Sequence, residues 1–125
     1  GPYHNYSLFV LRLFVGAVFI VYGAMKLFGG LKGFAGFLQR AGVPAPDLMA
    51  PVVAAIEFLG GVAIILGMGT RTAAILLSAI MIVAMATVTL KAGFAGGYDL
   101  NLALLGGLLA LVLAGPGKIA HGGDL

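Results

Sequence analysis

Six side chains in this sequence have the chemistry to hold a polar ligand or move a proton from within otherwise apolar segments: Arg12, Tyr22, Lys26, Glu57, Asp99 and Asn101. An ionisable residue inside a hydrophobic segment is costly, so each one marks a site whose partner should be identified. Glu57 is the deepest. At 1.5 Å per residue it lies about 13–14 Å from one end of its segment and about 15 Å from the other, near the midplane of a bilayer. A bare carboxylate there is expensive, so Glu57 is expected to be protonated or to meet a cation or hydrogen-bond donors. Lys26 sits close to the end of the first segment, with Tyr22 one turn deeper on nearly the same face. Helical side chains lean toward their own N-terminus, so Lys26 and Glu57, on antiparallel helices, lean toward one another. Their height difference of about 10 Å is close to the summed reach of the two side chains, with the Tyr22 hydroxyl able to bridge.

Arg12 precedes Lys26 by fourteen residues, which brings the two within about 40° on one helical stripe. That stripe predicts an inward polar face containing Arg12, Gly16, Tyr22 and Lys26. Asp99 and Asn101 open the last apolar segment on the side of Lys26 and within its reach. Each of the four ionisable residues also has a plainer role open to it. Glu57 would be a neutralised packing group, Lys26 and Arg12 would snorkel to the headgroups, and Asp99 would cap a helix. His4 and His121 lie outside the segments and read as solvated tail residues. Ser78, Met81, Met85 and Thr89 read as adaptable packing.

Four apolar spans must position these groups. They are predicted at residues 6–28, 48–67, 72–91 and 99–115, with a short amphipathic interfacial helix between the first two. In that helix Leu31, Phe34, Ala35 and Leu38 recur at three- and four-residue steps, while Lys32, Gln39 and Arg40 fall elsewhere. Asp47 and Asp99 are expected to cap the second and fourth spans, and Gly115-Pro116-Gly117 to stop the last. Gly16, Gly23, Gly60, Gly61, Ser78, Gly106 and Gly107 are the expected sites of close helix approach. Gly1-Pro2 reads as the remnant of a cleaved purification tag, and residues 3–125 as one transmembrane domain. The first span is too long for a signal-peptide core and lacks a cleavage site. Calling the side with both termini face A and the other face B, Arg12, Arg71 and Lys118 stand toward A, against Lys26, Lys32, Arg40 and Lys91 toward B. That near-equality leaves the orientation undecided.

Composition agrees with an all-α integral membrane four-helix bundle. Of the 125 residues, 62% are hydrophobic and only 9% charged, with a mean hydropathy of +1.15. An ordinary soluble domain carries about 25% charged residues, so the surroundings are expected to be lipid. The absence of cysteine excludes disulfides, thiolate metal sites and a thiol nucleophile within the chain. Two histidines at opposite ends make no metal or haem pair. The net charge of +3 is scattered, so nucleic acid is not an expected partner.

The sequence resembles the DoxX family of small four-span membrane proteins. The resemblance rests on Arg12 and Gly16, then YGAMKL (22–27), EFLGG (57–61), GMGTR (67–71), GGYDLN (96–101) and GPG (115–117), and covers nearly the whole chain. Two departures stand out: the family pattern has Glu-Tyr-Asn where this chain has Asp99-Leu100-Asn101, and a Ser-x-Asp tail where it has residues 119–121. The resemblance implies membrane redox work for some relatives, as subunits of thiosulfate:quinone oxidoreductase or partners of enzymes that relieve oxidative and thiol stress.

Together these readings lead to a multi-pass protein of the cell membrane, in a bacterium the inner membrane. It would be an accessory or quinone-interacting component of a redox system, and, if enzymatic, a subunit rather than a self-sufficient enzyme. The chain would carry no cofactor of its own and take a quinone or lipid, with Lys26 and Tyr22 donating hydrogen bonds and Glu57 and Asp99 relaying protons. Its partners would be the bilayer, further copies of itself, or membrane or peripheral redox proteins. A proton-coupled exporter and a purely structural subunit remain open alternatives.

Overall fold

The computed structural model describes residues 3–120, so the tag reading of Gly1-Pro2 and the placement of His121 fall outside the described residues. Five α-helices make the fold: α1 (His4–Gly29), α2 (Leu31–Arg40), α3 (Pro46–Leu66), α4 (Thr70–Thr87) and α5 (Asp99–Ala114). Among the described residues, four helical segments are long and apolar enough to cross a membrane: α1, α3, α4 and the stretch Phe94–Ala114 that contains α5. No strand occurs among the described residues. The short α2 is the expected amphipathic helix and packs on α3.

Helix α1 packs most extensively on α3, and α4 on α5, with α3 and α4 joining the two pairs. Small residues set the first contact. A Cβ on Gly61 would lie 2.6 Å from the Gly16 carbonyl oxygen, and one on Gly16 would lie 2.7 Å from the Gly61 carbonyl oxygen. The two backbones therefore touch where both residues are glycine. Gly23 likewise abuts the Phe58 backbone, and Gly60 sits under Leu77. Gly106 differs from the expectation: nothing lies within 4 Å of its added Cβ, because the interface of α5 runs through Leu104, Leu108 and Leu111 instead. These three join Val15, Phe19, Ile64, Leu77 and Met81 in the central core.

The helix ends correct several expectations. The third span stops at Thr87, short of residue 91. Thr87, Val88 and Thr89 form a β-branched run that resists helix, Val88 leaves helical geometry (φ −130°, ψ −62°), and Thr89–Ala92 make a separate 3₁₀ turn. Asp47 does not cap α3. The cap position is Ala45, held at φ 50° between Pro44 and Pro46, and Asp47 falls inside the first turn, where its charge still complements the helix dipole. Asp99 is the first residue of α5 rather than its cap. Its carboxylate instead accepts from the backbone N–H groups of Leu100 (2.9 Å) and Gly96 (3.3 Å), closing the kinked turn Phe94–Tyr98.

Candidate functional site

Near face B the ion pair that the sequence suggested is present. Lys26 Nζ lies 2.5 Å from Glu57 Oε1, and the carboxylate is buried at 3% exposure. Side-chain direction explains the contact: α1 rises toward B and α3 descends from it, so both residues reach across the Gly23–Phe58 approach. The tyrosine plays a different part from the expected bridge. Lys26 reaches Glu57 directly, and Tyr22 presents its ring face, 5.8 Å from the ammonium. A second ring is closer. Phe34 of α2 stands 4.6 Å from Nζ, so the cation lies between a carboxylate and two aromatic faces. Phe34 was visible in the sequence only as part of the apolar stripe of α2; nothing in that stripe showed which way it faced.

The pair forms part of the wall of a cleft of about 590 Å³. Phe34, Phe37, Leu38 and Val43 cover it from the α2 side, Phe19 and Met81 lie deeper, and Thr89, Leu100, Asn101 and Leu104 form the far wall. Most of this lining is apolar. The polar groups besides the pair are sparse and weakly engaged: Asn101 Nδ2 lies 3.5 Å from the Met81 thioether sulfur, a poor acceptor, and Thr89 Oγ1 has no hydrogen-bond partner. Lys26 donates to one acceptor, Glu57, out of the three it can serve. The cleft is therefore an apolar chamber with unused hydrogen-bonding capacity at Lys26, Thr89 and Asn101, the composition usual for a small-molecule site. Among the described residues, no group of three or more His, Asp or Glu residues is placed to hold a metal.

Arg12 and Asp99 stand apart from this chamber. Arg12 shares the inward stripe with Lys26 and also faces α3, but at the opposite end, seven residues or about 10 Å along α3 from Glu57. It is 1% exposed. Its Nε donates to the Ile64 carbonyl (2.9 Å), Nη2 to Ile65 (2.7 Å), and Nη1 to Pro116 (3.0 Å) and Ile119. Gly67 makes room for this. Its φ of 75° closes a Schellman turn, with Met68 N–H on the Ala63 carbonyl and Gly67 N–H on Ile64, and a Cβ there would lie 2.8 Å from Arg12 Nη2. Arg12 thus supplies donors to helix-end carbonyls and fastens the segment after Gly115-Pro116-Gly117 onto the bundle. Lys118 N–H on Asn5 Oδ1 (2.9 Å) adds to that fastening. Asp99 is engaged in its own turn, so the structure brings Tyr22, Lys26, Glu57 and Asn101 together and leaves Arg12 and Asp99 outside. His4 is exposed at the N-terminal end of α1.

Comparison with known proteins agrees with this architecture. The chain is 39% identical to the Bacillus subtilis protein named "Putative oxidoreductase CatD", over 89% of this chain and 81% of that one. It is 33% identical to the inner membrane protein YqjF of Escherichia coli, over 86% and 83% of the two chains. An uncharacterized membrane protein of Mycobacterium tuberculosis is 30% identical over 90% and 77%. No solved structure matches. The sequence profile of the DoxX family matches residues 7–90, which hold both members of the Lys26–Glu57 pair, and the chain belongs to the DoxX family.

Proposed function

We propose that this protein is an inner-membrane component of a redox or oxidative-stress system that binds a quinone-like ring in the chamber beside Lys26 and Glu57. The observation that carries the reading is the unused hydrogen-bonding capacity of a half-buried cation, paired with a buried carboxylate, at the wall of an apolar cleft of about 590 Å³. The name of the Bacillus subtilis relative and the membrane names of the others support the same direction.

The residues present fit such a ring. Apolar and aromatic walls suit its faces, and donors at Lys26 and Asn101 suit carbonyl oxygens. A quinone, when bound, supplies a site that accepts two electrons and two protons. Lys26 would offer a free N–H to a ring oxygen, with Phe34 and Tyr22 holding its ammonium in place. Asn101, whose amide has only the weak Met81 sulfur as acceptor, would offer a second donor to the ring. Glu57, nearly excluded from solvent, holds or releases a proton beside the Lys26 ammonium. Electrons come from a partner protein, since the chain has no cysteine and no pair of histidines for a redox centre of its own. A membrane or peripheral redox protein fills that partner role.

The test is binding of a short-chain benzoquinone to purified protein in detergent, read by isothermal titration. Glu57→Gln and Lys26→Met are each expected to weaken binding by about ten-fold or more, equivalent to about 1.4 kcal/mol. Both should keep the helical circular-dichroism signal of the parent. Unaltered affinity in both folded variants would remove the reading.

A further inference from the structure

Beside the chamber lies a second hollow, and the two share lining residues. A groove of about 380 Å³ lies between α1 and α5, lined by Ala17, Val18, Val21, Tyr22 and Leu100. Tyr22 and Leu100 also line the chamber. Toward face A the same two helices close on each other: a Cβ on Gly107 would meet Val15 at 3.0 Å and Leu11 at 3.6 Å. Toward face B they part, and the groove fills the gap. Its outer rim is exposed, Val21 at 55% and Leu100 at 44%, and in a bilayer that exposure is to acyl chains. Every lining side chain is apolar except the Tyr22 hydroxyl.

From this geometry we infer that the groove holds the hydrocarbon tail of the ligand whose ring lies in the chamber, with Tyr22 and Leu100 as the posts of a side doorway between them. This rests on the reading of the chamber given above and narrows it to one class: a membrane-resident ring compound bearing a long apolar chain, entering sideways from the leaflet on face B. The polar end meets the polar groups of the chamber, and the tail crosses between two apolar posts without leaving hydrocarbon. A water-soluble substrate would need no such groove.

The lack of native tryptophan and the lipid-exposed rim allow a direct test with two probes, a tail-less benzoquinone and the same ring carrying a decyl tail. Affinities are measured by titration in detergent and corrected for micelle partitioning. The parent protein should bind the decyl probe at least about ten-fold more tightly, since each buried methylene contributes about 0.8 kcal/mol. Ala17→Trp and Val21→Trp fill the groove from its exposed rim without touching the chamber. Either should remove most of that advantage and leave the tail-less affinity within about two-fold, a change near the 0.4 kcal/mol that RT ln 2 gives. Leu59→Trp, on the exposed face of α3, should change neither affinity, and Ala17→Leu serves as a gentler filling if a tryptophan variant fails to fold. A decyl advantage that survives in folded groove variants overturns the tail assignment and leaves the chamber reading standing. Failure of both probes to bind the parent overturns the chamber reading itself, and the inference with it.

Discussion

The two ends of this bundle each set a cation against α3, buried at one end and half-buried at the other, and they use it in opposite ways. At face A, Arg12 directs four hydrogen bonds to carbonyl oxygens of Ile64, Ile65, Pro116 and Ile119. At face B, Lys26 meets a single carboxylate, two aromatic faces and an open cleft. The planar, five-donor guanidinium suits the first task, since helix ends and a returning tail supply fixed acceptors. A compact ammonium on a flexible stem suits the second, because it can turn toward a new acceptor. Embedded charge alone therefore does not identify a site. The distinguishing quantity is how much hydrogen-bonding capacity remains once neighbours are counted.

The sharpest way to break this contrast is at face A. Arg12→Met keeps the apolar stem of the side chain and removes every donor, leaving the carbonyls of Ile65, Pro116 and Ile119 without this partner while Ile64 keeps the Gly67 N–H. One unsatisfied buried acceptor costs about 1–3 kcal/mol, so losing several should destabilise the bundle by at least about 3 kcal/mol. Unfolding in a graded mixture of mild and denaturing detergent measures this. A variant as stable as the parent would show that the arginine contacts hold little, and that the two ends differ less than their geometry suggests.

A second substitution acts on both ends at once. Gly61→Ala places a methyl group 2.6 Å from the Gly16 carbonyl, and backbone cannot give way as a flexible side chain can. Separating α1 from α3 should cost about 1–3 kcal/mol, typical of overpacking. It should also loosen the Lys26–Glu57 pair, seen as weaker ring binding than the loss of stability alone predicts. Gly106→Ala is the internal control, because its added Cβ meets nothing within 4 Å. There the higher helix propensity of alanine should raise stability by about 0.5–1 kcal/mol.

Much of this arrangement was legible in the sequence because helix geometry carries it. Spacing alone placed Arg12 and Lys26 on one stripe, and the opposed lean of side chains on antiparallel helices brought Lys26 to Glu57. What the sequence did not reveal depended on competition between acceptors. Periodicity gave Arg12 a direction but could not show that Ile64, Ile65 and a returning tail would occupy it. Asp99 and Asn101 are two residues apart, yet one closes its own turn and the other lines the cleft, a split decided by the glycine-rich turn before them. Hydropathy continues through Val88 and Leu90 and so overruns the end of α4, where the β-branched run stops the helix at Thr87. The contact of Phe34 with Lys26 has no signal in the sequence, because the docking of α2 on α3 is a tertiary fact.

At face B the contrast is sharpened by removing both charges together. Lys26→Met alone leaves Glu57 buried without its partner, and an unsatisfied buried polar group should cost about 1–3 kcal/mol of stability. Lys26→Met combined with Glu57→Leu removes the stranded group as well, and buried ion pairs replaced by apolar residues often lose no stability at all. The double variant should therefore recover the parent's resistance to denaturing detergent while still failing to bind the ring. Recovery of stability together with binding would assign the pair to helix register alone.

The smallest expected effect concerns the ring that α2 contributes. Phe34→Leu keeps an apolar side chain on the cleft wall and removes the aromatic face 4.6 Å from the Lys26 ammonium. A cation–π contact of this kind is worth about 0.5–1 kcal/mol, so ring affinity should fall by about two- to five-fold. Stability should stay close to that of the parent, since Phe34 is only half-buried. The informative comparison is with Phe34→Leu made in the Lys26→Met background. If the phenylalanine acts by positioning the ammonium, its removal there should have no further effect on affinity; an equal loss in both backgrounds would mean that the ring contacts the ligand directly and that α2 is part of the binding wall in its own right.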